Sequence, residues 1–399
     1  MPVSEDYNDE PWCDRDLNNY IIRSREPFNA EAKVDGLIDS YVTPVNKHFR
    51  RNHGPIPNLD KESWNVTIEV DTNELHISKT LNLNDLNQLP QFEVIAVLEC
   101  AGNRRDGLKA IKEVNGVTWG AGTASNSQWG GCRLRDILVS IGVPKDLCSK
   151  FYEQVRHVEF AAYGEATDDK HYASSIPLEW VMNPQNTVLV ATRMNGQALI
   201  RDHGFPARIV APGIIGARWV KWLRSIRVQD RESDSYYQQL DYKILPPMAT
   251  GDNCDKFWPQ FPALQELSIQ SAICRPAPGE KLQIGRPYVV RGYALSGAGR
   301  AVDRVEVSLD CGRTWELAKL VSMQGPNSNG KHEWSARHWA WVLWSFPIAS
   351  VPSRCSIACR AWDAGGNTQP DAAVWNYRGV MNNAVFRIEP PTTVGGGKL

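Results

Sequence analysis

Apolar residues fall along this chain in short runs separated by polar, glycine-rich stretches. Residues 64–70 alternate apolar and polar, the period of a half-buried strand. Residues 92–98 are mostly apolar and β-favouring, which predicts a buried strand. Further strands are predicted at 155–160, 188–191, 207–211 and 223–228. Helical spacing occurs at 133–141, where Leu134, Ile137, Leu138 and Ile141 share one face, and residues 80–89 and 177–181 predict shorter helices. The stretches 49–57, 201–206 and 212–222 carry too much Gly and Pro for either element and read as loops. Short mixed elements with long polar loops predict an α+β domain whose site is assembled from loops.

The pattern changes near Pro246-Pro247. Strand-like runs then recur at 268–274, 288–294, 302–309, 341–346 and 355–362, divided by turns such as Leu309-Asp310-Cys311-Gly312 and Asp363-Ala364-Gly365-Gly366-Asn367. Repetition of this kind predicts an all-β sandwich of immunoglobulin-like type, with Trp315 and Trp341 as core or interface anchors. The expected organisation is a disordered tail at 1–20, a mixed α/β domain at 21–250, the sandwich at 260–390, and a flexible tail at 391–399.

A length of 399 residues accommodates two such domains. Lys and Arg total 44 against 45 Asp and Glu, a net charge of −1, so bulk electrostatics give no case for nucleic acid or membrane surfaces. Apolar runs stay well short of a transmembrane helix. The opening MPVSEDYNDEPW is acidic and polar, unlike a secretory or transit peptide. Nine cysteines without regular spacing point to free thiols in a reducing compartment. The terminal Gly397-Lys398-Leu399 is similar to the C-terminal peroxisomal address, with Gly where Ser is usual. Peroxisomal import is expected on that ground, and a cytoplasmic location otherwise.

Chemistry concentrates at Leu98-Glu99-Cys100-Ala101-Gly102-Asn103-Arg104-Arg105. A soft sulfur at the end of a strand, followed by turn residues and fixed positive charge, suits a metal and an anion together. Taken alone, a cysteine after an apolar strand is more often a buried small hydrophobe. Distant segments change that balance. Glu26-Pro27-Phe28-Asn29, Arg51-Asn52-His53-Gly54-Pro55, the Cys100–Arg105 run, Arg201-Asp202-His203-Gly204-Phe205-Pro206, Gly216-Ala217-Arg218-Trp219-Val220-Lys221-Trp222, Asp241-Tyr242-Lys243 and Trp375-Asn376-Tyr377-Arg378-Gly379 occur in an order that resembles the sulfite oxidase family of molybdenum-cofactor enzymes, most closely its heme-free, plant-type members.

The resemblance implies oxidation of sulfite to sulfate at a mononuclear molybdenum held by molybdopterin, with Cys100 as the metal's protein ligand. It implies a substrate pocket of Arg51, Arg105, Arg378, Tyr242 and Trp119, in which guanidinium forks meet a small oxyanion. Arg104 is left as structural. It implies that His53, His203, Arg208 and Lys221 hold the pterin and its phosphate, with backbone contacts from Phe49, Arg50, Arg51, Asn52 and His53 and from Trp219, Val220 and Lys221. The family places a pterin-contacting aspartate where this chain has Gly164, leaving open whether Glu165 substitutes. The roughly 20 residues before the first motif are too few for a heme domain, and the sandwich leaves no room after it for heme or flavin. The acceptor is therefore expected to be external, dioxygen giving hydrogen peroxide. A homodimer through the sandwich is implied as well. The alternative is the molybdenum domain of a nitrate reductase-like enzyme, which shares the cysteine motif. Those enzymes generally lack the arginine at 378 and carry a lysine where this chain has Thr123.

Overall fold

The computed structural model describes residues 7, 9–72, 75–321, 337–354 and 356–393. Its N-terminal domain is organised on one antiparallel ladder, in which strand Gln91–Glu99 pairs with Ala124–Arg133 from Gln91↔Cys132 to Glu99↔Ala124. Strand Leu189–Met194 continues that sheet and pairs with both Gln197–Ala198 and Arg208–Val210. A second five-stranded sheet runs in the order His76–Asn82, Asn65–Asp71, Leu223–Gln229, His157–Ala162, Ala173–Pro177. Within it, Asn65–Asp71 and Leu223–Gln229 are parallel and the other pairs antiparallel. Val66, Ile68 and Val70 point into one shared core, the alternation read from the sequence.

Strand Gln91–Glu99 departs from a uniformly buried run. Its first half alternates, and only Ala96 to Glu99 is covered throughout. The cover comes from the C-terminal domain, where the carbonyl of Trp339 accepts from the Val97 N–H at 2.9 Å. The helix expected at 80–89 begins at Leu83 instead. Asn82 ends the strand and caps helix Leu83–Gln88, accepting from Asp85 N–H while the Asp85 carboxylate accepts from Asn82 N–H. Helix Leu134–Ser140 buries Leu134, Ile137 and Leu138 of the predicted face, while Ile141, its C-cap, is only half-buried.

The C-terminal domain packs two antiparallel four-stranded sheets. One contains Gln270–Arg275, Tyr288–Leu295, Val342–Ile348 and Lys319–Val321, the other Glu316–Leu317, Val302–Ser308, Ile357–Asp363 and Phe386–Ile388. Ile273, Val290, Val305, Val307, Trp344 and Ile357 fill the space between them.

Parts of both expected tails are ordered in the structure. Glu10 and Arg15 are buried, 3₁₀ turns form at Trp12–Asp14 and Leu17–Asn19, and Trp12 meets Phe28 edge-on at 5.2 Å. Arg15 pairs with Glu10 and Asp202, and Asp9 with Arg201, which composition alone does not reveal. At the other end Thr392–Thr393 pairs with Leu282–Gln283. Residues 394–399, with the Gly-Lys-Leu ending, and Cys355 lie outside the described residues. Among the described residues no helix is long and apolar enough to cross a membrane.

Candidate active site

Cys100 follows directly on strand Gln91–Glu99, so a rigid ladder fixes its position. Its backbone N–H donates to the Thr123 carbonyl at 3.0 Å, and its Sγ accepts from Gly102 N–H at 3.4 Å. Burial pushes the thiol up, while Arg105 and Arg51 pull it back. Asn103 holds the loop from below. Its Oδ1 accepts from the Thr123 hydroxyl at 3.0 Å, and its amide donates to Glu99 at 2.8 Å and to Tyr293 at 3.1 Å. Thr123 thus serves the loop's geometry. Arg104 adopts left-handed backbone (φ 60°), donates to Gln270 at 2.7 Å and lies 4.7 Å over the Phe386 ring. It faces the sandwich and is structural.

Arg105 opens helix Arg105–Lys109 and points back across the loop, donating from Nε to the Gly379 carbonyl at 2.9 Å and from NH1 to Val117 at 2.6 Å. Glycine is required at 102 for this approach, because a Cβ there would lie 2.8 Å from Arg105 NH2 and 2.9 Å from Trp119 Cδ1. Trp119 is fully buried and its indole N–H has no partner among the described residues. Arg378, next to Gly379, pairs with Asp241. Asp241 ends a π-helical turn, Tyr237–Asp241, that delivers Tyr242 to the cleft.

Arg51 donates to Asn29 at 3.2 Å and also to the Asn52 carbonyl, and its NH2 lies 3.2 Å from His53 Nδ1. His53 Nε2 lies 2.8 Å from the Tyr242 hydroxyl. Burial first, then Arg51, Arg378, Lys221 and Arg105, hold His53 well below its ordinary range, so the ring is neutral. Arginine can only donate, so Nδ1 accepts and the ring proton sits on Nε2. That proton is donated to the Tyr242 oxygen, leaving the phenolic hydrogen to donate into the cleft. Burial keeps Tyr242 in its phenol form.

The cleft spans about 830 Å³, the open solvent at its mouth included. Phe49, Arg51, Asn52, His53, Cys100, His203, Arg208, Trp219, Val220, Lys221 and Tyr242 line it. Arg105, Trp119 and Arg378 stand behind that lining, on the side of the Cys100 loop. Arg50 is different. Its backbone pairs with Ala30 in both directions, and its Nε lies 3.0 Å from Asp202. It does not line the cleft.

Cations gather at the end away from Tyr242. Arg208 donates only to carbonyls, those of His203 and Trp219 at 3.0 Å among them. Lys221 Nζ donates to the carbonyls of Arg51 at 3.1 Å and Asp202 at 3.0 Å and to the Asn52 side chain. Burial and Arg208 push Lys221 well below the usual lysine range, and burial lowers Arg208 to about 9. His203 Nε2 is buried without a hydrogen-bond partner among the described residues. Two elements here escaped sequence reasoning. His48 meets His203 edge-on at 4.8 Å, and Asp241 orients Arg378. Asp241 stood inside a quoted motif, but nothing in its spacing indicated its partner. Of residues 164–169, Glu165 and Ala166 line the cleft. Gly164 turns away with φ +84° against Pro57.

Residues 53–237 match the family model for an oxidoreductase molybdopterin binding domain, and residues 262–391 match a Mo-co oxidoreductase dimerisation domain. The chain is 42% identical to mitochondrial sulfite oxidase of Macaca fascicularis over 392 residues, covering 97% of this chain and 68% of that protein. It is 39% identical to sulfite oxidase of Arabidopsis thaliana, over 96% of both chains. Among solved structures it is similar to the sulfane dehydrogenase SoxCD of Paracoccus pantotrophus, with a TM-score of 0.71, 26% identity, and coverage of 91% and 84% of the two chains.

Proposed function

The chain belongs to the sulfite oxidase family of molybdopterin-binding oxidoreductases, and from that premise we propose that it oxidises sulfite to sulfate and passes the two electrons to dioxygen. Sulfite, water and dioxygen then give sulfate and hydrogen peroxide. The observation that carries the sulfite reading is a set of three arginines with fixed partners, Arg51 and Arg105 beside Cys100 and Arg378 beside Arg105, held by Asn29, Gly379 and Asp241.

The residues present fit a phosphate-bearing molybdenum-pterin. Cys100 is the one thiol among the residues lining the cleft. Among the described residues, Asp202 and Glu10 are the carboxylates set against Arg15, Arg50 and Lys221, with Arg208 close by. A dianionic group would offset that excess and accept from His203, Arg208 and Lys221. When bound, the group supplies the two-electron redox couple and the oxygen-atom transfer.

The protein's own part is positioning and charge. Arg51 on the cleft lining offers N–H donors to the anion, and Arg105 and Arg378 behind it add fixed positive charge in a buried site, where each interaction is stronger than in water. The Tyr242 hydroxyl donates into the same space, its oxygen fixed by His53 Nε2–H at 2.8 Å. Trp119 is wholly buried beside Gly102 and keeps water from that side. Arg378 is also the feature that weighs against the nitrate reductase-like alternative. The dimerisation domain supports a homodimer.

The acceptor is tested with an oxygen electrode and a peroxide-coupled dye. Expected is one hydrogen peroxide per dioxygen consumed, dependent on sulfite. Sulfite-dependent reduction of cytochrome c with no oxygen uptake would overturn the acceptor. Nitrate reduction without sulfite oxidation would overturn the substrate. A peroxisomal location would suit a peroxide-forming reaction, and removing Lys398 and Leu399 from a fluorescent fusion tests it by loss of organellar signal.

A further inference from the structure

Behind the cationic end of the cleft lies an ion network that joins the motif residue Asp202 to the N-terminal segment. Asp202 is 1% exposed and takes Arg15 by two contacts, Nε at 3.0 Å and NH2 at 2.9 Å. The same carboxylate lies 3.0 Å from Arg50 Nε. Arg15 NH2 also meets Glu10 at 2.5 Å, and Glu10 Oε1 accepts from the Ile56 N–H at 3.1 Å. The Arg15 guanidinium sits 3.9 Å over Phe28, and Asp9 pairs with Arg201 at 3.1 Å. On its other side Asp202 faces the cleft, and its carbonyl accepts from Lys221.

We propose that Arg15, balanced by Glu10, is a positioning residue for the anionic end of the cofactor, and that residues 9–15 form a strap whose seating is coupled to occupancy of the cleft. The inference rests on the reading of that end as a phosphate site. To the buried network the strap brings one cation, Arg15, and one carboxylate, Glu10, while its other two carboxylates, Asp9 and Asp14, stay exposed. It covers the far side of Asp202 and Arg50, whose side chains are 1% and 0% exposed. Excluding water there strengthens the field that Arg208 and Lys221 present to an anion in front. An anion in turn offsets the cations that the closed strap keeps buried. Each event favours the other by the same factor, as linkage requires.

Two experiments on the full-length chain test this. Trypsin cleavage after Arg15 needs the strap unseated, because that side chain is 0% exposed, whereas Arg231 is 65% exposed and serves as an internal reference. Protein made in cells lacking the pterin should be cut after Arg15 about 10-fold faster than loaded protein, with equal cleavage after Arg231. Equal rates at Arg15 would mean a merely structural strap and would overturn the coupling. Second, loaded Arg15→Gln and the neutral pair Glu10→Gln/Arg15→Gln should release pterin about 10- to 100-fold faster, the range found when an outer partner of a bound group is removed. Release is followed by pterin fluorescence in the filtrate, with dimer mass and circular dichroism reporting the fold. Wild-type release rates in both folded variants would also overturn the proposal. Should neither variant fold, the cleavage comparison on wild-type protein decides alone. A wild-type chain that never carries pterin would instead overturn the phosphate-site reading, a distinct result.

Discussion

Replacing Arg378 with Met probes the charge of the substrate pocket. The Arg378 side chain is 12% exposed and its Asp241 partner 5%. Arg51, Arg105 and Arg378 set against Asp241 leave two positive charges toward the cleft, matched to a sulfite dianion. The variant leaves one, together with a buried carboxylate stripped of its partner and close to the incoming anion. A hydrogen bond to a charged group contributes about 1.5–3 kcal/mol, which is about 10- to 150-fold in kcat/KM. The loss should fall mainly on KM, because a fixed cation holds the ground-state anion as well as the transition state. Molybdenum and pterin per chain should stay at the wild-type level, since Arg378 does not line the cationic end of the cleft. The companion Arg378→Met/Asp241→Asn should recover part of the loss by removing the stranded carboxylate. The assay is ferricyanide-linked sulfite oxidation normalised to molybdenum. Unchanged kcat/KM, or a loss that merely tracks molybdenum content, would refute the assignment.

Three further outcomes are expected. Gly102→Ala places a Cβ 2.8 Å from Arg105 NH2, so the guanidinium must move; kcat/KM should drop about 10- to 100-fold with the dimer intact, and wild-type kinetics would show that the loop absorbs the methyl group. Cofactor-free protein should melt at a higher temperature in inorganic phosphate than in chloride of equal ionic strength, because the anion offsets Arg208 and Lys221; an equal melting temperature would count against the phosphate site. The same protein should lose stability as pH falls from 7 to 5. Burial chiefly holds His48 at about 3 and His203 well below its ordinary range, so the unfolded chain takes up protons below pH 6.5 that the fold refuses. Glu99, raised to about 7 mainly by burial, acts with the opposite sign between pH 4.5 and 7. With His53 held down in the same way, three histidines against one glutamate leave a net loss of about 2.7 kcal/mol per pH unit, and a urea midpoint that holds steady or rises on acidification would contradict it.

Periodicity alone carried much of the framework. The alternation of Val66, Ile68 and Val70 and the helical face of Leu134, Ile137 and Leu138 appear where the spacing placed them. Local pattern reports which face of an element is apolar, and burial follows from that. Motif order carried the chemistry of the site further than any local reading of Cys100 could. Boundaries were less legible. Asn82 belongs equally to a strand end and a helix cap, and the capping hydrogen bonds settle that only in three dimensions.

Charged side chains divide most sharply between the two kinds of knowledge. The sequence determined by itself that Arg50, Arg51, Arg104 and Arg105 stand in adjacent pairs within loops, and that a thiol precedes the second pair. It did not determine that Arg51 turns to His53 and the cleft while Arg50 turns to Asp202, or that Arg104 faces the sandwich while Arg105 crosses toward Gly379. Nor did the acidic opening of the chain show that Glu10 and Arg15 would be buried as a pair. The reason is physical. An apolar residue needs only to leave water, which a neighbour-to-neighbour pattern can specify. A buried charge needs a partner at hydrogen-bond distance, and for Arg15, Arg105 and Arg378 that partner lies 187, 274 and 137 residues away, supplied by elements that only the folded chain brings together.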